Sequence, residues 1–288
     1  MIYTKKPPLL PGEEKLSMAK YYDWPLHPPG PLQQQILDAG PMNPNLAIKA
    51  ENWLDLLKTT GYNPVEYGYC MMEDGTGYIS MYSVYPNGCE PKMLAWWFHW
   101  INVPPKSQPL GPTRLDNIKY KIWCPPDHIG HGYVNGVDKT DGIWTVESLD
   151  LGQGDGKGYT VRHPINLKAY GLTDEKEQEL KDAGCWVDAA YESFHTVDSE
   201  HKQLPGTHLM LTLSRPCPTG GMEKITREWI GYGVKDGRVW RDESTPEDML
   251  NEDYLKMVMI HATVEAQQLS KFLPELYAEY HTLPDNTD

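Results

Sequence analysis

The stretch Thr245-Pro246-Glu247-Asp248-Met249-Leu250-Asn251-Glu252-Asp253-Tyr254-Leu255-Lys256-Met257-Val258-Met259-Ile260-His261-Ala262-Thr263-Val264-Glu265-Ala266-Gln267-Gln268-Leu269 decides the fold. It opens as a helix start: a threonine N-cap, proline at the first helical position, then acids in the first turn. The spacing predicts one long helix running to about Phe272, with Pro274 ending or kinking it. Leu250, Tyr254, Met257, Val258, His261, Glu265, Leu269 and Phe272 form its inward stripe. Two ionisable residues interrupt that stripe. His261 and Glu265 are four apart and project from the same face. Burying a bare carboxylate is costly, and a metal ion or a charged partner removes that cost. The alternative is that Glu265 pairs with an arginine or reaches solvent, with His261 a hydrogen-bonded core histidine.

Working outward, residues 66–72 and 78–85 are tyrosine-rich, strand-like runs joined by the hairpin-type turn Glu73-Asp74-Gly75-Thr76-Gly77. Residues 91–101 hold the aromatic segment Met93-Leu94-Ala95-Trp96-Trp97-Phe98-His99-Trp100, read as a buried helix. Strand-like stretches follow at 116–124, 142–149, 158–163, 184–195, 206–214 and 222–234. A charged helix over 173–183 interrupts them, capped by Thr173 with Gly184 after it. Upstream, Pro25, Pro28, Pro29 and Pro31 punctuate an extended arm, and residues 45–60 read as a helix. The expected organisation is a mostly helical, proline-rich region over 1–64 and a second domain over 65–288. A long final helix after many antiparallel strands predicts an α+β fold, a curved sheet gripping the helix around a cavity.

Composition narrows the function. The 288 residues carry a formal net charge of −14, which argues against nucleic acid and against an anionic membrane surface. No segment is long and apolar enough to cross a bilayer. The five cysteines, Cys70, Cys89, Cys124, Cys185 and Cys217, include no C-x-x-C pair. They fit a reduced, cytoplasmic protein rather than a disulfide framework. Aromatic content is mostly tyrosine and tryptophan, which suits either a pocket for a polar aromatic ligand or an ordinary core.

Three further places carry chemistry. In Pro125-Pro126-Asp127-His128-Ile129-Gly130-His131, one or both histidines can reach a metal, and Asp127 can orient a histidine. The H-x-x-H spacing by itself is weak evidence, and a loop with two satisfied histidines is the simpler alternative. In Ile143-Trp144-Thr145-Val146-Glu147-Ser148-Leu149, Thr145, Glu147 and Leu149 share one face of a strand. Together these residues make a mixed nitrogen and oxygen set with no cysteine, which suits a catalytic zinc. The glycine-rich run Gly152-Gln153-Gly154-Asp155-Gly156-Lys157-Gly158 has no helix after it and reads as a turn rather than a phosphate cradle.

Tyr120-Lys121-Ile122-Trp123-Cys124-Pro125-Pro126-Asp127-His128 resembles a segment of the 2,4-diacetylphloroglucinol hydrolase and phloretin hydrolase family. Trp96-Trp97-Phe98-His99-Trp100 is similar to the family's aromatic segment, and Glu147 to its strand glutamate. Gly206-Thr207-His208, Arg215, Gly221-Met222-Glu223 and Trp229-Ile230-Gly231 resemble its late run, and His261 with Glu265 its terminal-helix pair. Ile101 and His131 depart from it, standing where histidine and asparagine are expected.

The resemblance implies a Bet v 1-like helix-grip fold with an added N-terminal region and zinc in the cavity. It implies His128, Glu147, His261 and Glu265 as ligands, Tyr120 and His131 beside the ring hydroxyls, and His208 as acid/base. Tyrosines and tryptophans, Trp97 and Trp229 among them, would wall the pocket. The expected activity is hydrolysis of the carbon–carbon bond between an acyl group and a polyhydroxylated ring. The expected partner is a small phenolic ketone; oligomeric state is open, with a homodimer among the alternatives. The rival readings are a non-enzymatic carrier of aromatic ligands and a metallohydrolase acting on esters or amides.

Overall fold

The computed structural model describes residues 6–147, 158–196 and 202–288. Ser148, Leu149, most of the glycine-rich run and His201 lie outside them. Eight strands form one antiparallel sheet: β1 (Gly68–Met71), β2 (Gly77–Tyr85), β3 (His128–Tyr133), β4 (Ile143–Glu147), β5 (Gly158–Pro164), β6 (Trp186–His195), β7 (Gln203–Pro216) and β8 (Met222–Ile230). Their order is β1-β2-β8-β7-β6-β5-β4-β3, so the sequence-distant β2 and β8 are neighbours. A hairpin of β9 (Tyr232–Lys235) and β10 (Arg238–Arg241) follows β8 after Gly231, whose φ of 92° ends the run expected over 222–234.

Among the described residues, four α-helices precede the last one: α1 (Pro31–Ala39), α2 (Pro91–Trp100), α3 (Ile118–Lys121) and α4 (Asp174–Asp182). α4 is capped as expected, the Thr173 hydroxyl accepting from Lys176 N at 3.2 Å. The final helix, α5 (Glu252–Tyr280), packs along β1 and β2. The arrangement is the expected α+β helix-grip fold, a large antiparallel sheet holding a C-terminal helix. Among the described residues, no helix is long and apolar enough to cross a membrane.

Several local expectations are corrected. α5 begins after Asn251, whose side chain accepts from Tyr254 N at 2.9 Å, while the Thr245 hydroxyl has no hydrogen-bond partner among the described residues. It also runs through Pro274. Proline withdraws the N–H that Ser270 O would receive, and the Cys89 thiol reaches that carbonyl at 3.7 Å. Leu273, Leu276 and Tyr280 around the proline are buried, and burial of each leucine contributes on the order of 1.5–3 kcal/mol toward offsetting the lost hydrogen bond. Residues 116–124 are not a strand. The Asn117 side chain accepts from Lys119 N and starts the single turn α3, and the strand lies at 128–133 instead. There Gly130 passes so close to Leu115 that a Cβ would collide with the Leu115 carbonyl. Residues 45–60 form 3₁₀ turns at Pro44–Leu46 and Ala50–Leu56, the latter kinked at Asn52, rather than one helix.

Alternation along the strands sorts the two faces. Leu209, Leu211 and Leu213 of β7 point outward and pack with Trp53, Leu56 and Leu57. His208, Met210 and Thr212 of the same strand point inward and line a cavity of about 450 Å³ against α5. Early residues contribute to both layers, since Met18, Tyr21 and Tyr22 share an inner core with Trp97, Trp100 and Phe272.

Candidate active site

His128 and Glu147 are register partners across β3 and β4, and His261 and Glu265 stand one turn apart on α5. The fold brings all four together. His128 Nε2 lies 3.7 Å from Glu147 Oε1 and 3.5 Å from Glu265 Oε2. His261 Nε2 lies 3.9 Å from Glu147 Oε2 and 3.5 Å from Glu265 Oε2. The opposite ring nitrogens are held by other groups. His128 Nδ1 donates to the Tyr120 carbonyl at 3.2 Å, and His261 Nδ1 faces Asp127 Oδ2 at 2.5 Å. Both histidines therefore turn Nε2 toward the two carboxylates, the orientation that outer partners impose on metal-binding imidazoles. Asp127, read in the sequence as able to orient a histidine, meets His261 rather than the neighbouring His128.

His128 Nε2 is buried, and its nearest polar neighbour across the cluster is Glu265 Oε2 at 3.5 Å. Two imidazole nitrogens and two carboxylates converging in one wall form a donor set that a divalent cation satisfies. Burial pulls the His261 pKa down, but the Asp127 charge and hydrogen bond carry it well above the ordinary value. Burial pushes the Glu265 carboxyl up, and hydrogen bonds from His128 and His261 outweigh it, leaving it below the usual carboxylate range.

Cys124 joins this cluster, against the expectation of a set without cysteine. Cys124, His128 and His261 are all buried, and their ligand atoms lie within 4.8 Å of one another, a spacing able to hold a metal ion. Burial pushes the Cys124 thiol up to about 11. The four-residue spacing from Cys124 to His128 is the signal that marks it in the sequence.

Tyr120 is stacked between two histidines, 3.9 Å from the His128 ring and 4.5 Å from the His131 ring. Its hydroxyl donates to Glu147 Oε1, which ties the β4 carboxylate to α3. His131 lines the cavity beside Thr145, its Nδ1 at 3.2 Å from the Thr145 hydroxyl. Burial, with the charges of His128 and Arg162, lowers its pKa to about 3, so the ring stays neutral.

His208, on β7, reaches the cavity between two carboxylates. Its Nε2 lies 2.7 Å from Glu228 Oε2 on β8, and its Nδ1 3.8 Å from Glu192 Oε2 on β6. Burial lowers the His208 pKa, but Glu228 by charge and hydrogen bond, with Glu192 behind it, raises it above the ordinary value. Arg162, hydrogen-bonded to Asp188, and Lys224 also line this cavity. Glu192, Glu228, Arg162 and Lys224 were not read from the sequence as site residues. Each is an inward residue of an alternating strand, the one signal that points to them.

Residues 48–278 match the family described as the DAPG hydrolase PhiG domain. The chain belongs to this family. It is similar to the phloretin hydrolase of Eubacterium ramulus, 32% identical over 280 residues that cover 93% of this chain and 91% of that one. It is also similar to the 2,4-diacetylphloroglucinol hydrolase of a Pseudomonas species, 25% identical over 236 residues covering 75% and 72% of the two chains. The corresponding enzyme of Pseudomonas protegens is 24% identical over 236 residues, 75% of this chain and 69% of that one.

Within this DAPG hydrolase family member, two residues expected to wall the pocket do not. Trp97 is fully buried among Trp100, Trp123 and Phe272, behind the cavity. Trp229 faces the outer layer, where its Nε1 donates to the Ile48 carbonyl at 2.7 Å and its ring meets Tyr78. Its neighbour Glu228 points inward, so the alternation of β8 sends Trp229 out. Phe98, Trp123 and Trp186 supply the aromatic wall instead.

Proposed function

We propose that this chain is a zinc-dependent hydrolase acting on aryl ketones, which cleaves the carbon–carbon bond between an acyl group and a polyhydroxylated aromatic ring. The substrate class is an acylphloroglucinol or a phloretin-like ketone, the class named in the relatives. One observation carries the reading: paired imidazole nitrogens and carboxylates converge in the wall of a cavity whose other walls are aromatic. His128, Glu147, His261 and Glu265 would hold the metal. They are preferred to a set with Cys124 because both Nε2 atoms face the two carboxylates. When bound, zinc polarises the acyl carbonyl and lowers the pKa of a water to about 7.

The chain's own residues do the rest. Hydrolysis adds hydroxyl from water to the acyl carbon and a proton to the ring carbon, giving a carboxylic acid and the free phenol. His208, held as an imidazolium by Glu228 and Glu192, donates the proton to the ring carbon. The Tyr120 hydroxyl and the neutral His131 hold phenolic oxygens and favour the keto tautomer from which the bond breaks. Phe98, Trp123 and Trp186 stack on or edge the ring and exclude water.

The test is product identification. Purified protein incubated with acylphloroglucinols and dihydrochalcones should release the free phenol and the matching carboxylic acid. Ligand binding without any product would support a carrier, and turnover of esters or amides alone would support the other metallohydrolase.

A further inference from the structure

β1 is short. It pairs Gly68–Met71 with the first residues of β2, from Gly77 to Ser80, and from Met81 onward β2 is paired with β8 alone. Beside that open edge lies a second cavity of about 380 Å³, bounded by β2, the start of α1 and the middle of α5. Ser83 and Ala266 line both this cavity and the first. Both side chains are small, and Ala266 directly follows Glu265 on α5.

The lining shows what the second cavity accepts. Pro31, Leu32, Ile36 and Val84 present aliphatic surface, and Tyr67 and Tyr82 add ring faces. The polar groups are bonded to protein: Tyr67 to Thr263 at 2.7 Å, Tyr82 to Glu223 at 2.9 Å, and Gln267 Nε2 to Gln33 Oε1 at 3.0 Å. An apolar, partly aromatic group is the occupant that such walls favour, because no charged side chain lines them.

We propose that the second cavity is the acyl-limb subsite of the reaction and that it takes an arylalkanoyl chain, reached from the first cavity past Ser83 and Ala266. The inference rests on the reaction proposed above. An acyl carbonyl set beside His261 and Glu265 sends the rest of its acyl group along α5 past Ala266. An acetyl group ends before the second cavity, and a three-carbon chain bearing an aromatic ring extends into it.

The test fills the subsite from two sides. Ser270→Phe projects a ring into it from α5, and Leu32→Trp does so from α1, where Leu32 is 69% exposed and its replacement spares the core. kcat/KM is measured for ketones on one trihydroxylated ring bearing either a 3-arylpropanoyl or an acetyl group. The arylpropanoyl-to-acetyl ratio should fall by about tenfold or more, the scale on which an apolar pocket discriminates by size. A ratio equal to wild type in every folded variant overturns the subsite. Wild-type protein that cleaves neither ketone sinks the proposed reaction instead. Calorimetric binding of a 3-arylpropanoate then decides the subsite alone: weakened binding in the variants supports it, and unchanged binding overturns it.

Discussion

His208 Nε2 lies 2.7 Å from Glu228 Oε2, and Glu192 approaches its other nitrogen at 3.8 Å. A histidine flanked by two buried carboxylates is suited to give a proton rather than take one. His208→Ala should lower kcat by about 10²–10⁴-fold, the usual worth of general acid–base catalysis, with metal content retained. Near-normal turnover would assign the proton to another group.

The same pair sets a pH dependence. The His208 pKa is raised in the folded protein, so the imidazolium persists above the ordinary histidine value. Its contribution to stability is full below the unfolded value of about 6.5 and is lost as pH rises through the folded value. Activity that needs the protonated ring should fall over the same alkaline range. Glu228→Gln removes the main raising charge and should move this alkaline limb to lower pH. Titration of the His208 ring followed by NMR in the intact protein checks it; a ring pKa equal to wild type would remove Glu228 from this role.

Purified protein should carry about one zinc per chain, as a single mononuclear site requires. Chelation should abolish turnover, and added zinc should restore it. Full activity in protein shown to be metal-free would end the zinc proposal.

Glu265→Gln keeps the shape of the side chain and removes its charge. Zinc should bind more weakly, because a carboxylate supplies charge as well as an oxygen. The metal-free melting temperature should fall, since the carboxylate that His128 and His261 hold below the usual range is gone. Unchanged zinc content with a lower metal-free melting temperature would make Glu265 a structural partner of the two histidines.

Asp127 touches His261 Nδ1 and lines no part of the cavity. Asp127→Asn should weaken zinc binding by about 10–100-fold, the usual effect of losing a partner that orients a ligand. Competition with a chelator of known affinity measures it, and wild-type affinity would show that the α5 backbone alone orients His261.

The sequence by itself determined the elements whose signals are local. The i,i+4 spacing of His261 and Glu265 on an apolar helical stripe places both inward, and the structure confirms that they are buried on α5. The turn after Met72, the cap at Thr173 and the alternation around Glu147 likewise depend only on near neighbours. Tertiary structure decided the rest. Period-two alternation tells which residues share a strand face, and only sheet pairing tells which face is inside. Hence Trp229 looked like a pocket wall and lies outside, while Glu228 beside it meets His208 from the next strand. Cys124 reaches His261 only because the chain folds a loop more than a hundred residues upstream against α5. α5 starts at the Asn251 cap and not at Thr245, a choice that the capping signal at Thr245-Pro246 did not reveal. Pairings between distant segments gain their free energy from burial that no local pattern records, and that burial assembled the site.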